Sequence, residues 1–229
     1  CDYIFVLVRT SPDKPKHEGI SLILVDMNQP GVKVSPIKLI SGASPFCETH
    51  FDNAIAPATD LIGGVDRGWT VGKRLLQFER STHAGINISG SQGGRSEKSE
   101  MPTLVSKYVG RQDGQLADSD LRQRLTQFEM NAHAQRITQR RAIEELQSRA
   151  PGFTSSAVKL TNALNIQEGD ELLVAAMGPQ GFRWDPETAD AEELASLQKW
   201  LYQKSLTIAG GTKEVQLNII AKRVLGLPD

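Results

Sequence analysis

Few side chains in this sequence are arranged so that they could do chemistry. The most suggestive group is Gly210-Gly211-Thr212, placed directly before an apolar-periodic segment. Paired glycines let a backbone approach a ligand closely and take up conformations closed to other residues. Thr212 can cap the helix that follows, and free amides at a helix start suit an anion or the polar edge of a cofactor. The same residues describe a plain capped turn equally well. Glu79, with Arg80 beside it and His83 four residues on, has the spacing of an exposed helix ion pair. His50, His83 and His133 do not cluster. Cys1 and Cys47 are too few for a disulfide framework, nothing has metal-ligand spacing, and a reducing, cytoplasmic setting is expected.

The totals narrow the partners. With 26 basic and 27 acidic residues among 229 and no block of like charge, the chain carries no electrostatic footprint for nucleic acid or a membrane surface. No apolar run approaches the roughly 20 residues of a membrane span, and no signal peptide is expected. Small molecules or proteins are the expected partners. The chain opens at Cys1 without an initiator Met and runs straight into Tyr3-Ile4-Phe5-Val6-Leu7-Val8, which predicts that it begins inside a longer natural sequence.

The elements that would position these residues fall into two kinds. Residues 1–62 read as strands: Tyr3 to Arg9, Ile20 to Asp26, a looser Val32 to Ile37, and Cys47 to Asp52, separated by Pro- and Gly-rich turns. This spacing predicts an antiparallel β-domain, a sheet or part of a barrel. From about residue 63 the period becomes helical. Val71, Leu75, Phe78 and Thr82 trace one face of a first helix, weakened between Gly85 and Gly94 and kinked or ended at Ser91 to Arg95.

Gly110 to Asp118 reads as a polar turn. Ser119 or Asp120 should cap a long helix to about Ser148, with Leu121, Leu125, Phe128 and Ala132 inward and Arg136, Arg140 and Arg141 solvated. Further helices are expected over Thr154 to Met177 and Ala191 to Thr207, with a loop from Gly178 to Trp184 between them. A terminal helix should lay Leu217, Ile220, Ala221, Val224 and Leu225 on a core until Gly226 and Pro228 end it. The expected fold class is α+β, with a partial β-domain over 1–62 and an antiparallel helical bundle over 63–229. Trp69 and Trp184 are expected to be packing residues.

The run from Leu206 through Gly210-Gly211-Thr212-Lys213-Glu214 to Arg223-Val224-Leu225-Gly226-Leu227-Pro228 resembles the C-terminal signature of the acyl-CoA dehydrogenase family. The first part agrees, through Phe51-Asp52-Asn53 with Pro57, and Leu61-Ile62-Gly63-Gly64-Val65-Asp66-Arg67-Gly68-Trp69. The resemblance covers nearly the whole chain and is loosest between residues 95 and 175.

It implies an FAD enzyme that desaturates an acyl-CoA, a base removing the alpha proton while the beta hydride passes to flavin N5. In much of the family the base is a Glu immediately before Gly-Thr, but that position is Gly210 here. Another branch places it on the first helix of the C-terminal domain in a Leu-x-x-Glu-Arg context, which points to Glu79 within Leu75-Leu76-Gln77-Phe78-Glu79-Arg80. A carboxylate in an apolar, water-poor pocket has the raised pKa this role needs.

By the same resemblance Gln77, Phe78, Arg80 and Gly211 line the acyl-CoA pocket. Thr212, Lys213 and Glu214 lie at the flavin, the Gly178 to Gly181 turn serves the adenosine side of a neighbouring subunit's FAD, and Arg111 meets the pyrophosphate across the dimer. The implied partners are acyl-CoA, an electron-transfer flavoprotein, and further copies in a homodimer or homotetramer, with a hetero-oligomer also open. The chain departs from the pattern at Arg111-Gln112-Asp113-Gly114, where the family has Arg-x-x-Phe-Gly, and at Ala175, where a Gln is usual. Two further readings therefore stay open: a non-catalytic partner subunit, and a related flavin oxidase or monooxygenase. The resemblance places further FAD-holding strands before Cys1, so these residues alone are expected to bind FAD poorly and to be inactive.

Overall fold

A computed structural model describes residues 1–83, 99–148 and 154–228, without the side chains of residues 77, 78, 80–83 and 146. They fall into two compact units, Cys1–Glu79 and Arg80–Asp229. The segment expected to break the first helix, Ser91 to Arg95, lies outside the described residues.

In the first unit, β1 (Tyr3–Arg9) pairs antiparallel with β2 (Ile20–Asp26), Tyr3 opposite Asp26 and Arg9 opposite Ile20. β3 (Val32–Ile37) and β4 (Phe46–Phe51) form a separate antiparallel ladder, and β5 (Leu61–Ile62) joins the far side of β2. β2 is the central strand and buries Leu22 and Val25, which is why it reads as a continuous aliphatic run. Edge strand β1 alternates instead, with Tyr3, Phe5 and Leu7 exposed.

The β1–β2 loop is tied from two sides. Arg9 donates to the carbonyls of Lys16 (2.7 Å) and Pro12 (3.1 Å). Asp66 accepts from the hydroxyls of Thr10 and Ser11, each at 2.9 Å, and from the Lys14 ammonium at 2.7 Å. The Lys14 contact, followed by the Thr10 hydroxyl, holds the Asp66 carboxyl below the usual carboxylate range.

Helix α1 (Gly68–His83) then starts against the sheet. A Cβ at Gly68 would sit 2.3 Å from the carbonyl carbon of Ser21, so only glycine admits this approach. Trp69 stacks on His17 with ring centroids 4.3 Å apart, the packing role expected of it.

The second unit contains α2 (Met101–Val109), the hairpin β6 (Arg111–Gln112) and β7 (Gln115–Leu116), α3 (Ser119–Gln147), α4 (Thr154–Met177), α5 (Ala191–Gln203) and α6 (Lys213–Ile219). Helix α4 is the hub, packing on α2, α3 and α5. Its C-terminal half carries the main core, where Leu172 and Ala176 meet Val105, Leu116, Leu121 and Leu125. Arg136, Arg140 and Arg141 are exposed as expected, the last two facing Glu144 and Glu145 along α3.

Several expectations are corrected. Helix α2 was not anticipated. The polar turn at 110–118 is a hairpin, because Asp113 (φ 52°) and Gly114 (φ 75°) form the two-residue turn that Asp-Gly favours. The cap of α3 is Asp118 rather than Ser119 or Asp120, its carboxylate accepting from the Leu121 amide at 2.9 Å. Helix α5 ends at Gln203, and residues Lys204–Thr207 tighten into a 3-10 turn. The terminal stripe does not lie on a core among the described residues: Leu217, Val224 and Leu225 are exposed, and the buried residue is Gln216. Trp184 is exposed too, not packed.

Candidate functional site

The turn from Leu206 to Glu214 is held from inside by two long polar side chains. Lys159, on α4 and only 4% exposed, donates to the carbonyls of Gly211 and, at 3.3 Å, Leu206. Gln216, 1% exposed, donates through Nε2 to the Gly210 carbonyl at 3.0 Å. Gly210 (φ 66°) and Gly211 (φ 99°) adopt the left-handed backbone this needs, and a Cβ on Gly211 would stand 2.7 Å from Gln216 Nε2. With their carbonyls turned inward, the amides of Gly210, Gly211 and Thr212 find no acceptor among the described residues. Buried Oε1 of Gln216, an acceptor, has no donor among the described residues.

Thr212 caps α6 as expected, its hydroxyl oxygen accepting from the Val215 amide at 3.3 Å. The Glu214 carboxyl is held below its ordinary range by its own backbone amide and then by Thr212. The hydroxyl is thus engaged locally, and the open donors of this turn are its backbone amides. Lys213 and Glu214 are exposed.

Gly178, Gly181 and Arg111 belong elsewhere. The 3-10 turn Gly178–Phe182 closes the C-terminal end of α4. Gly178 (φ 59°) has open space where a Cβ would stand, whereas Gly181 is buried and its Cβ would meet the Val174 carbonyl at 2.9 Å. Arg111 is exposed and donates to the Ser106 hydroxyl (3.3 Å) and the Gly114 carbonyl (3.4 Å). Its hairpin contributes Leu116 to the cluster around Leu172 and Ala176, which puts Arg111 at the Gly178 end of α4. Lys159 and Met177 are 18 residues apart on one helix, about 27 Å. Two groups of residues therefore sit at opposite ends of α4, with Gly211, Thr212, Lys213 and Glu214 at one and Arg111, Gly178 and Gly181 at the other.

Helix α1 carries Gln77, Phe78, Glu79 and Arg80, and of these only the Glu79 side chain is described. It is exposed, one helical turn after Leu75 and Leu76, which are themselves 42% and 45% exposed. The carboxylate thus belongs to an apolar helical surface open to the outside of its unit. Among the described residues there is no group of three potential metal ligands and no helix long and apolar enough to cross a membrane.

Lys159 and Gln216 went unnoticed in the sequence. A signal for Lys159 existed, a single ammonium inside Ser155-Ser156-Ala157-Val158-Lys159-Leu160 on an otherwise inward stretch. Burial alone pulls its ammonium below the usual lysine range. Asp170, also buried, meets Lys199 at 3.1 Å on one oxygen and leaves the other without a partner; burial pushes its carboxyl up, and Lys199 opposes the shift.

The profile described as "Acyl-CoA dehydrogenase, C-terminal domain" matches residues 66–225. The chain belongs to the acyl-CoA dehydrogenase family. Two relatives from Mycobacterium tuberculosis bear this out. Acyl-CoA dehydrogenase IpdE1 is 34% identical over 99% of this chain and 55% of its own length, and acyl-CoA dehydrogenase FadE34 is 33% identical over 97% of this chain and 28% of its own. The chain thus spans between about a quarter and about half of these relatives. Among solved structures, the Tcur3481-Tcur3483 steroid ACAD superposes with a TM-score of 0.79 at 26% identity, covering 99% of this chain and 57% of that one. Acyl-CoA dehydrogenase from Geobacillus kaustophilus, at 24% identity, shares the fold with a TM-score of 0.74 over 97% of this chain and 57% of its own. The α+β fold class expected from the sequence is the one observed.

Proposed function

We propose that this chain is the C-terminal part of an FAD-dependent acyl-CoA dehydrogenase that uses Glu79 as its base. The observation that carries the assignment is the backbone at Gly210. At φ 66° an L-residue is strained by roughly 1–2 kcal/mol, so the position that holds the base in much of the family is shaped here for glycine. Glu79 is the remaining candidate, and it stands among exposed Leu75 and Leu76 on α1, a setting that an acyl chain could cover. Covering it would exclude water and raise the carboxylate's affinity for the alpha proton.

The residues present fit a flavin: the three open amides at Gly210, Gly211 and Thr212 make a donor edge for polar oxygens, and the unpartnered Gln216 oxygen beside them is an acceptor for an N–H or O–H. Bound FAD would supply the two-electron acceptor that the beta hydride requires. Glu79 takes the alpha proton, and the turn amides orient the acceptor's polar edge. The Arg111 and Gly178 group, about 27 Å along α4 from Lys159, serves a second FAD in an oligomer.

The test uses the full-length protein. Wild type reduced anaerobically by acyl-CoAs should lose its visible flavin absorbance. Glu79→Gln should retain the flavin and lose the bleaching by about a thousandfold or more, within the 10² to 10⁴ contribution of a positioned base and its attendant orientation. Bleaching of Glu79→Gln at the wild-type rate would remove Glu79 from the mechanism.

A second reading, a subunit of a hetero-oligomer, is favoured by exposed Ala175 and the Asp113 turn at the Gly178 end, and by the two-component name of the Tcur3481-Tcur3483 structure. Flavin content near one FAD per two different chains would support it.

A further inference from the structure

We propose that Lys159 is a positioning residue, a clasp that reaches out of α4 to tie the carbonyls of Leu206 and Gly211 and so, with Gln216, fixes the direction in which the Gly211 and Thr212 amides face. The inference rests on the reading of that turn as a flavin contact. Lys159 lies 47 and 52 residues before the groups it holds, and it gathers the two ends of the turn on one ammonium. Gln216 takes the intervening Gly210 carbonyl. Together they take the inward-facing carbonyls of Gly210 and Gly211, and the amides of the same two peptide units, those of Gly211 and Thr212, are left for an external partner.

A charged group is an expensive way to satisfy carbonyls. An ammonium removed from water costs several kcal/mol unless it is paired, and no carboxylate stands in ion-pair contact with Lys159 among the described residues. A neutral donor would hold the carbonyls at less cost. The charge therefore does something the hydrogen bonds alone do not: it places a positive potential behind the amides, adding to their attraction for an electron-rich edge.

The experiment compares full-length wild type with Lys159→Met, Lys159→Gln and Lys159→Arg by three readouts: hydrogen exchange at the amides of Ile208 and Ala209, which bond the Ser205 carbonyl within the turn, the FAD dissociation constant, and the midpoint potential of the bound flavin. Lys159→Met should exchange at least about tenfold faster at Ile208 and Ala209 with α4 itself unchanged, and should bind FAD at least about tenfold more weakly. Lys159→Gln, which keeps N–H donors without charge, should recover much of the exchange protection while its flavin potential falls; Lys159→Arg should hold the potential near wild type. Should Lys159→Met not fold, the Gln and Arg pair decides alone.

Wild-type exchange in Lys159→Met, or in Lys159→Gln a flavin affinity and potential equal to wild type, overturns the proposal. A full-length wild type that binds no FAD would sink the proposed function instead, and the exchange comparison would still decide whether Lys159 orders the turn.

Discussion

The two ends of α4 hold glycine turns by opposite means. At the C-terminal end the apolar cluster of Val105, Leu116, Leu121, Leu125, Leu172 and Ala176 packs beneath the backbone, and Gly178 faces open space. At the N-terminal end the buried apolar cluster among the described residues is the pair Ala142 and Val158. The backbone there is held by polar side chains: Lys159, Gln216, Gln135 donating to the Val158 carbonyl, and Glu145 accepting from Thr154. Dispersion and hydrophobic burial fix position without direction, whereas hydrogen bonds fix which way a peptide unit points. The end that carries the Gly210 turn is the end built from polar clasps.

The contrast can be broken most forcefully at the apolar end. Leu172→Ala should destabilise the protein by about 3 kcal/mol, because a fully buried Leu leaves both a lost transfer term and a cavity. In denaturant titration that loss should appear without faster local amide exchange at Ile208 and Ala209. Equal loosening of both ends would mean that the core, not the polar clasps, orders the Gly210 turn.

Thr154→Val acts at the other end and should cost about 1.5 kcal/mol, since it removes a hydrogen bond to a charged group. It also carries a pH signature. The Glu145 carboxyl lies below its ordinary 4.5, first through the Thr154 hydroxyl and further through the Thr154 amide and Arg141. A depressed carboxylate contributes stability that is full above 4.5 and is lost as pH falls through the folded-state value. The gap between wild type and Thr154→Val in thermal melts should therefore be widest near neutrality and narrow in acid; a gap that widens in acid would reverse the assignment.

Smaller effects separate the two glycine turns themselves. Gly178→Ala meets no atom and should cost only the roughly 1 kcal/mol of a left-handed alanine, leaving α4 melting nearly intact. Thr212→Ala removes a cap from the short α6 at about 1 kcal/mol or less. Calorimetry on both would sharpen the comparison, and a loss of several kcal/mol in either would show packing that these contacts do not contain.

The readable parts of the sequence were those whose cause is local. β1, β2 and α4 end where aliphatic or helical periodicity meets Pro, Gly or Asp, so their limits could be drawn from residue types. Helix α2 is short and starts at Met101-Pro102, with too few turns to show a period. The α3 cap was misplaced by one residue, because Asp118, Ser119 and Asp120 are all competent and only backbone geometry selects among them. The stripe at Leu217, Val224 and Leu225 has core periodicity, yet the pattern does not say what covers it, and no described residue buries it. Glu79 as a base and Arg111 became candidates only through resemblance, whereas Gly210-Gly211-Thr212 stood out by residue type and the resemblance added its role. Lys159 was hidden because its role is set by carbonyls about fifty positions later, a relation that no window along the chain contains.

That relation also makes the C-terminus a poor place to trim. Deleting the chain after Leu206 would remove the Gly211 carbonyl and leave the Lys159 ammonium of α4 with only the Leu206 carbonyl. The damage would surface in a helix that the deletion never touched.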